Sequence, residues 1–243
     1  MLNGSILTPA LDISEGTIPG VSGVASGSLS SSSTSIQAIR ATTYTEQATP
    51  SNLEVVSSSA SDASAGTGTR TLLVTYYRTD GSGPYTATIT TNGTTAVAIG
   101  DSNAQFVEKL ESLTVGSNGT NVGTLTIRRN GAGATVGTVA VGDGRTFWAH
   151  HYVSLGKICF VRGFIVGTAT ISVSAFLRKI AQLTSTAFEE QITARIRIVS
   201  GQNSGTFYYE NLWVSGPARI TAYAAPDAVT AGTVTADIDF YEV

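Results

Sequence analysis

Charge is what this sequence has least of. Asp, Glu, Lys and Arg together make up 13% of its 243 residues, about half the usual share. The lysines are Lys109, Lys157 and Lys179 alone, and the formal net charge is -3. Nucleic-acid binding calls for a clustered basic footprint, which this chain does not have. The one arginine pair, Arg128-Arg129, points to opposite faces if it lies on a strand. A single cysteine, Cys159, excludes an internal disulfide. Its setting in Ile158-Cys159-Phe160-Val161 predicts a buried, inert thiol. The apolar runs are far too short to span a bilayer as a helix. The first residues, Met1-Leu2-Asn3-Gly4-Ser5, carry neither the basic nor the apolar stretch of a secretory signal, so the chain is expected inside a cell or released by lysis.

Chemistry-bearing residues are equally sparse. The only histidines, His150-His151, are adjacent. Neighbours on a strand diverge, so a shared metal is not expected, and one packed and one solvated ring is the simpler arrangement. No Gly-x-Ser-x-Gly or His-Glu-x-x-His motif occurs. The carboxylate pairs Glu189-Glu190 and Asp237/Asp239 are the only candidates for glycosidase-type chemistry. Asp237 and Asp239 share one strand face, where an exposed edge accounts for them. Gly131-Ala132-Gly133-Ala134-Thr135-Val136-Gly137 has the glycine content of a phosphate loop. It lacks the spacing, the Lys-Ser/Thr and a following helix, and so reads as a β-turn. No catalytic, cofactor-binding or metal-ligating residue is assigned, no cofactor is expected, and the chain is read as a non-enzyme.

What is abundant is turn chemistry alternating with strand chemistry. Candidate strands are 35–40, 53–58, 70–78, 85–91, 96–99, 106–115, 122–129, 134–141, 146–153, 158–166, 169–178, 191–199, 206–213, 218–224 and 233–242. Many short strands with Gly/Asn punctuation predict an all-β fold, an antiparallel β-sandwich of jelly-roll type. Asn92-Gly93 predicts a two-residue hairpin, Asn118-Gly119 and Asn130-Gly131 bracket a strand in the same way, and Thr79–Pro84 forms a longer hairpin loop. The first half is therefore expected to be a meander. Along 192–198, Ile192, Ala194, Ile196 and Ile198 face one way, and Thr193, Arg195 and Arg197 the other. Phe106, Leu110 and Leu113 stand at helical spacing, an ambiguity resolved here in favour of a strand. Ile180–Phe188 reads as a short helix or an excursion loop.

Residues 1–35 show no periodicity and form an irregular N-terminal arm. It is either a disordered tail or a segment that orders on a neighbouring subunit. Residues 36–243 form the sandwich, with a candidate internal split near 142–146. Phe207, Tyr208, Tyr209 and Trp213, with Phe147, Trp148 and Tyr152, are core residues or, if exposed, anchors for sugars or an interface.

Three motifs carry a resemblance: Ser-Asp-x-x-Ala-Gly-Thr-Gly-x-Arg-Thr at 61–71, Asn-Gly-Thr-Thr-x-Val at 92–97, and Gly-Ser-Asn-Gly-Thr-Asn-Val-Gly-Thr at 116–124. Over about 55–130 the chain resembles virion structural proteins of tailed bacteriophages, of the type found in phages of cyanobacteria and other aquatic bacteria. Ala218–Glu242 is similar to the closing strand pair of that family. The resemblance implies a sandwich or jelly-roll fold, a place on the particle and no catalytic residues. It leaves head decoration, head–tail joining and tail attachment open; the low charge, dense Ser/Thr surface, tight turns and N-terminal arm lead to the expectation of a capsid decoration or cement protein on the virion surface, assembled in the host bacterial cytoplasm. Its expected partners are the major capsid protein and copies of itself as a homotrimer, with no nucleic acid and no membrane. The alternative is a tail or head–tail attachment module with lectin-like binding through Trp148, Tyr208 and Trp213.

Overall fold

Thr, Val, Ile and Tyr dominate the segments between the glycine-rich turns, and these residues fit a pleated, half-buried surface. In the computed structural model, residues 20–31, 33–168, 171–182, 188–199, 204–227 and 231–243 are described, with backbone alone at 181–182, 188–195 and 204–211. In chain order the strands are β1 Val21–Ser31, β2 Gln37–Ala38, β3 Leu53–Ser57, β4 Thr69–Arg78, β5 Tyr85–Thr90, β6 Val97–Ala98, β7 Ala104–Val115 and β8 Leu125–Arg129. They continue as β9 Thr135–Val139, β10 His150–Val153, β11 Ile158–Thr168, β12 Val173–Gln182, β13 Phe188–Ile198, β14 Ser204–Ser215, β15 Ala218–Pro226 and β16 Gly232–Glu242. No helix occurs among the described residues. The fold is all-β, its ladders antiparallel.

The chain divides into two units. Arg40–Trp148, with Gln182–Phe188, forms one. The other takes the residues up to Ile39 together with Ala149–Ala181 and Glu189–Val243. The boundaries thus fall at 39/40, 148/149, 181/182 and 188/189. The expected strand 146–153 is divided between the units, because Trp148 belongs to one core and Ala149 to the other.

In the first unit, sheet β6-β3-β8-β9 faces sheet β5-β4-β7. Leu53, Val55, Leu125, Ile127, Val136 and Val139 from one sheet share a core with Leu72, Val74, Tyr76, Ile89, Val107 and Leu110 from the other. The expected meander is not formed. Asn92-Gly93 carries the chain from β5, which pairs with β4, across to β6, which pairs with β3. Asn118-Gly119 likewise joins strands of different sheets. Of these four expected turns, Thr79–Pro84 and Asn130-Gly131 close hairpins, between β4 and β5 and between β8 and β9. The helical spacing of Phe106, Leu110 and Leu113 in β7 does not mark one buried face. The register of β7 against β4 shifts between Thr75 and Tyr76, which skips Glu108. The extra residue switches the alternation, so Val107 and Leu110 both reach the core while Leu113 is exposed.

In the second unit, the sheets are β1-β16-β11-β14 and β10-β15-β12-β13, with β2 on β15. Phe164, Val166, Ile220, Leu177 and Ile238 are fully or almost fully buried between them, as is Cys159. Residues 21–31, expected within an irregular arm, form the 11-residue strand β1, paired with β16 from Val21↔Glu242 to Ser31↔Gly232. Residues 1–19 of that arm lie outside the described residues. The inward positions of β1 read Gly23, Ala25, Gly27, Leu29, Ser31, so the strand shows no apolar alternation. A Cβ on Gly27 would fall 2.3 Å from Ala149 N and 2.5 Å from Ile39 O. The close backbone approach demands glycine there.

Candidate functional site

The motifs at 61–71, 92–97 and 116–124 converge on one residue, Asp62. Asp62 is fully buried. Its Oδ1 accepts the N–H of Thr69 at 2.8 Å and of Val122 at 2.9 Å. Its Oδ2 accepts the N–H of Gly123 at 2.8 Å and the Ser57 hydroxyl at 2.6 Å. Its backbone carbonyl accepts the N–H of Gly93 at 2.7 Å. Around this centre, Gly68 N–H bonds Ser61 C=O, Gly116 N–H bonds Gly68 C=O, and Asn118 N–H bonds Thr67 C=O. The motif glycines let these backbones meet: a Cβ on Gly68 would stand 2.0 Å from Asp62 Oδ1. Charge-assisted bonds to a buried carboxylate are the strong kind, and each oxygen here holds two donors. The carboxylate is sealed from solvent and each oxygen is engaged, so Asp62 ties the loops together out of reach of a substrate.

A second buried hub continues the first. Asn121 donates from Nδ2 to the carbonyls of Gly123 and Ala140, both at 2.7 Å, and its Oδ1 accepts Gly144 N–H at 2.8 Å. These bonds fasten 140–144, which overlaps the candidate split near 142–146, to the rest of its unit.

Glu54 answers the glycine-rich turn. Its carboxylate accepts the N–H groups of Gly131 at 3.1 Å and Ala132 at 3.0 Å, and Arg128 Nε at 2.7 Å. Burial alone would raise its pKa, but these bonds outweigh that and hold it below the usual carboxylate range. The donors that would bind a phosphate are occupied by the protein's own carboxylate. Arg128 points to Glu54, and Arg129 points to Thr49, the expected divergence.

An open groove of about 670 Å³ runs between β5 and β6, lined by Thr86–Thr90 and Val97–Ser102, with Tyr76 and Arg78. Asp101 Oδ2 accepts the Tyr76 hydroxyl at 2.9 Å and Arg78 Nε at 2.8 Å. The Arg78 guanidinium lies 4.1 Å from the centre of the Tyr85 ring. Burial, followed by the hydrogen bond to Asp101, pushes the Tyr76 hydroxyl up to about 12. Asp101 would be raised by burial, but Arg78, the Asn103 N–H and Tyr76 together hold it low.

The other sequence candidates are dispersed. Both histidines are buried, not one, because β10 is covered on both faces. His151 stacks on Phe240, centroids 3.7 Å apart, and reaches Glu242 at 2.9 Å. Asp237 and Asp239 sit on β16, an inner strand of its sheet rather than an edge. The β-bulge in β11 falls at Arg162, between Val161 and Gly163. Arg162 binds Asp239 and the Tyr241 hydroxyl. Among the described residues, no three His, Cys, Asp or Glu side chains gather to hold a metal ion. Trp148 is 3% exposed, edge-on to Tyr44, with its indole N–H donated to Thr42 Oγ1 at 3.1 Å. It is a core residue and unavailable to a sugar, while Trp213 is 58% exposed. The side chains of Glu189, Glu190, Phe207, Tyr208 and Tyr209 lie outside the described ones, as do those of Ile192, Thr193, Ala194 and Arg195. Ile196 and Ile198 are buried and Arg197 is exposed.

Sequence reasoning did not single out Asp62, Asn121 or Glu54. The available signal was an isolated acid inside a Ser/Gly/Thr loop, in a chain that uses charge rarely. No family model matches this chain, and no curated protein matches it.

Proposed function

We propose that this chain is a non-enzymatic structural protein of a tailed-phage virion, a decoration or cement protein that docks on the major capsid protein and on copies of itself. The supporting observation is the fate of the motifs that carry the resemblance. Their one carboxylate, Asp62, is wholly engaged in joining loops, so those residues serve a rigid shape. The outer strand faces are rich in neutral hydroxyl groups, as at Thr86, Thr88 and Thr90 of β5. Such faces suit many weak, repeated contacts whose avidity accumulates over a particle. Assembly would take place in the bacterial cytoplasm and the working position would be the capsid surface.

The test compares particles made with and without the protein. Loss of resistance to heat or internal pressure in its absence, reversed by adding the purified protein, is expected. Particles equally robust without it, or labelling of the tail instead of the head, would overturn the reading.

A further inference from the structure

Among the sheet edges of the Arg40–Trp148 unit, β5 stands apart. The outer edge of β7 is covered by 144–146, through Ser112 N–H to Gly144 C=O and Thr146 N–H to Leu110 C=O. The outer edge of β9 is covered by 43–45, through Thr45 N–H to Val136 C=O and Thr138 N–H to Thr43 C=O. β6 is two residues long. β5 is six residues long and ends its sheet. Thr91 N–H bonds Arg70 C=O. By antiparallel alternation, Ile89, Ala87 and Tyr85 then turn their backbone groups toward β4, and Thr90, Thr88 and Thr86 turn theirs away. These three threonines are exposed, and they make no hydrogen bond with any described residue beyond their strand. The strand carries no charge, no proline and no bulge, the devices that normally blunt an edge.

We infer that β5 pairs with β5 of a second copy, antiparallel about a two-fold axis through Thr88. Self-complementarity identifies the occupant. In that register Thr88 faces Thr88 and Thr86 faces Thr90, and each of these is a hydrogen-bonded pair that exchanges both N–H···O bonds. Threonine meets threonine across the strands, a favourable pairing. Ala87 of one copy faces Ile89 of the other on the inner side. No like charges meet along the strand. A groove of about 670 Å³ runs along this edge, with Thr86, Thr88 and Thr90 on one wall and residues 97–102 on the other. This rests on the self-association proposed above and names a surface for it, as a two-fold contact in place of the expected homotrimer.

The test uses the purified full chain alone, so its failure is separate from failure of shell docking. Cys159 is fully buried and offers no competing thiol. Under mild oxidation, Thr88→Cys is expected to give a disulfide-linked dimer, since hydrogen-bonded partners lie ~5.5 Å apart, within disulfide reach. Thr86→Cys is expected to stay uncrosslinked, because its symmetry mate lies roughly 14 Å away along the strand. A mixture of Thr86→Cys and Thr90→Cys is expected to crosslink. Thr88→Lys places like charges on the axis and is expected to weaken dimerisation about tenfold or more by sedimentation, with an unchanged circular dichroism spectrum. Crosslinking of Thr86→Cys as fast as Thr88→Cys would overturn the proposal. So would a wild-type chain that sediments as a monomer, indistinguishable from Thr88→Lys.

Discussion

Asp62 and Val122 are 60 residues apart in the chain, yet the carboxylate of one accepts the backbone N–H of the other at 2.9 Å. That bond belongs to a set of four on one buried side chain, so Asp62→Ala would strand the N–H groups of Thr69, Val122 and Gly123 and the Ser57 hydroxyl. Unsatisfied buried donors cost roughly 1–3 kcal/mol each. With partial relaxation, the variant is expected to lose about 3–5 kcal/mol. Asp239→Asn, at a half-exposed ion pair with Arg162, is expected to lose less than about 1 kcal/mol. Urea unfolding followed by Trp148 fluorescence in a Trp213→Phe background measures the first, and Trp213 fluorescence the second. Equal losses for the two carboxylates would contradict the distinction drawn between them.

Gly27 tests strand β1 in the same quantitative way. An added methyl would press on the backbone of Ala149 and Ile39, and backbone cannot swing aside as a side-chain end can. Gly27→Ala is expected to cost about 1–3 kcal/mol. Ser22→Ala, on the exposed face of the same strand, should stay within about 0.5 kcal/mol of wild type. A neutral Gly27→Ala would mean that β1 does not lie against those residues.

The same strand shows where sequence reading stops. Segments such as Leu53–Ser57 and Thr69–Arg78 announce themselves, because burial there is carried by Leu, Val and Tyr. In β1 burial is carried by glycine and alanine, whose composition matches that of a loop. Partner choice is hidden for another reason. Asn92-Gly93 specifies a tight turn, and Gly93 has the positive φ of 60° that such a turn requires. Nothing local says that its strands belong to different sheets. That is decided by bonds from Gly93 N–H to Asp62 C=O and from Ser57 N–H to Gly93 C=O, made by residues some thirty positions upstream. The candidate site was hidden likewise. The resemblance picked out the loops that meet at Asp62, but their convergence is a tertiary fact.

The two tryptophans give a further check, one in each unit. Trp148 is sealed beneath Tyr44, whereas Trp213 is open on β14. Acrylamide is expected to quench Trp148→Phe, which retains Trp213, several-fold more strongly than Trp213→Phe, which retains Trp148. Saccharides should leave the emission of Trp148 unchanged. Trp148→Ala is expected to lose about 3–5 kcal/mol in its unit. Strong quenching of Trp148 in the native protein would reopen the lectin-like reading of the aromatic set.

The groups around Asp101 and Glu54 set the pH range over which the Arg40–Trp148 unit holds its stability. Glu54 and Asp101 have folded pKa values held below their ordinary ones. The unfolded chain therefore takes up their protons first as pH falls. Their contribution is complete above about pH 5 and is lost as acid reaches the folded pKa values. Tyr76 behaves oppositely. Its folded pKa is raised to about 12, from an ordinary value near 10, so the folded state keeps its proton longer. This contribution is complete below about pH 10 and is lost as pH climbs toward 12. Burial is the largest cause, and the next is specific: a Tyr76 phenolate would face the Asp101 carboxylate, to which its hydroxyl now donates. Tyr76→Phe should therefore be less stable than wild type at neutral pH, and the gap should narrow between pH 10 and pH 12. Glu54→Gln should show the matching convergence in acid, below about pH 5. Urea midpoints read from Trp148 fluorescence across both ranges measure the two gaps, and a Tyr76→Phe gap constant to pH 12 would show that Asp101 does not hold the tyrosine proton.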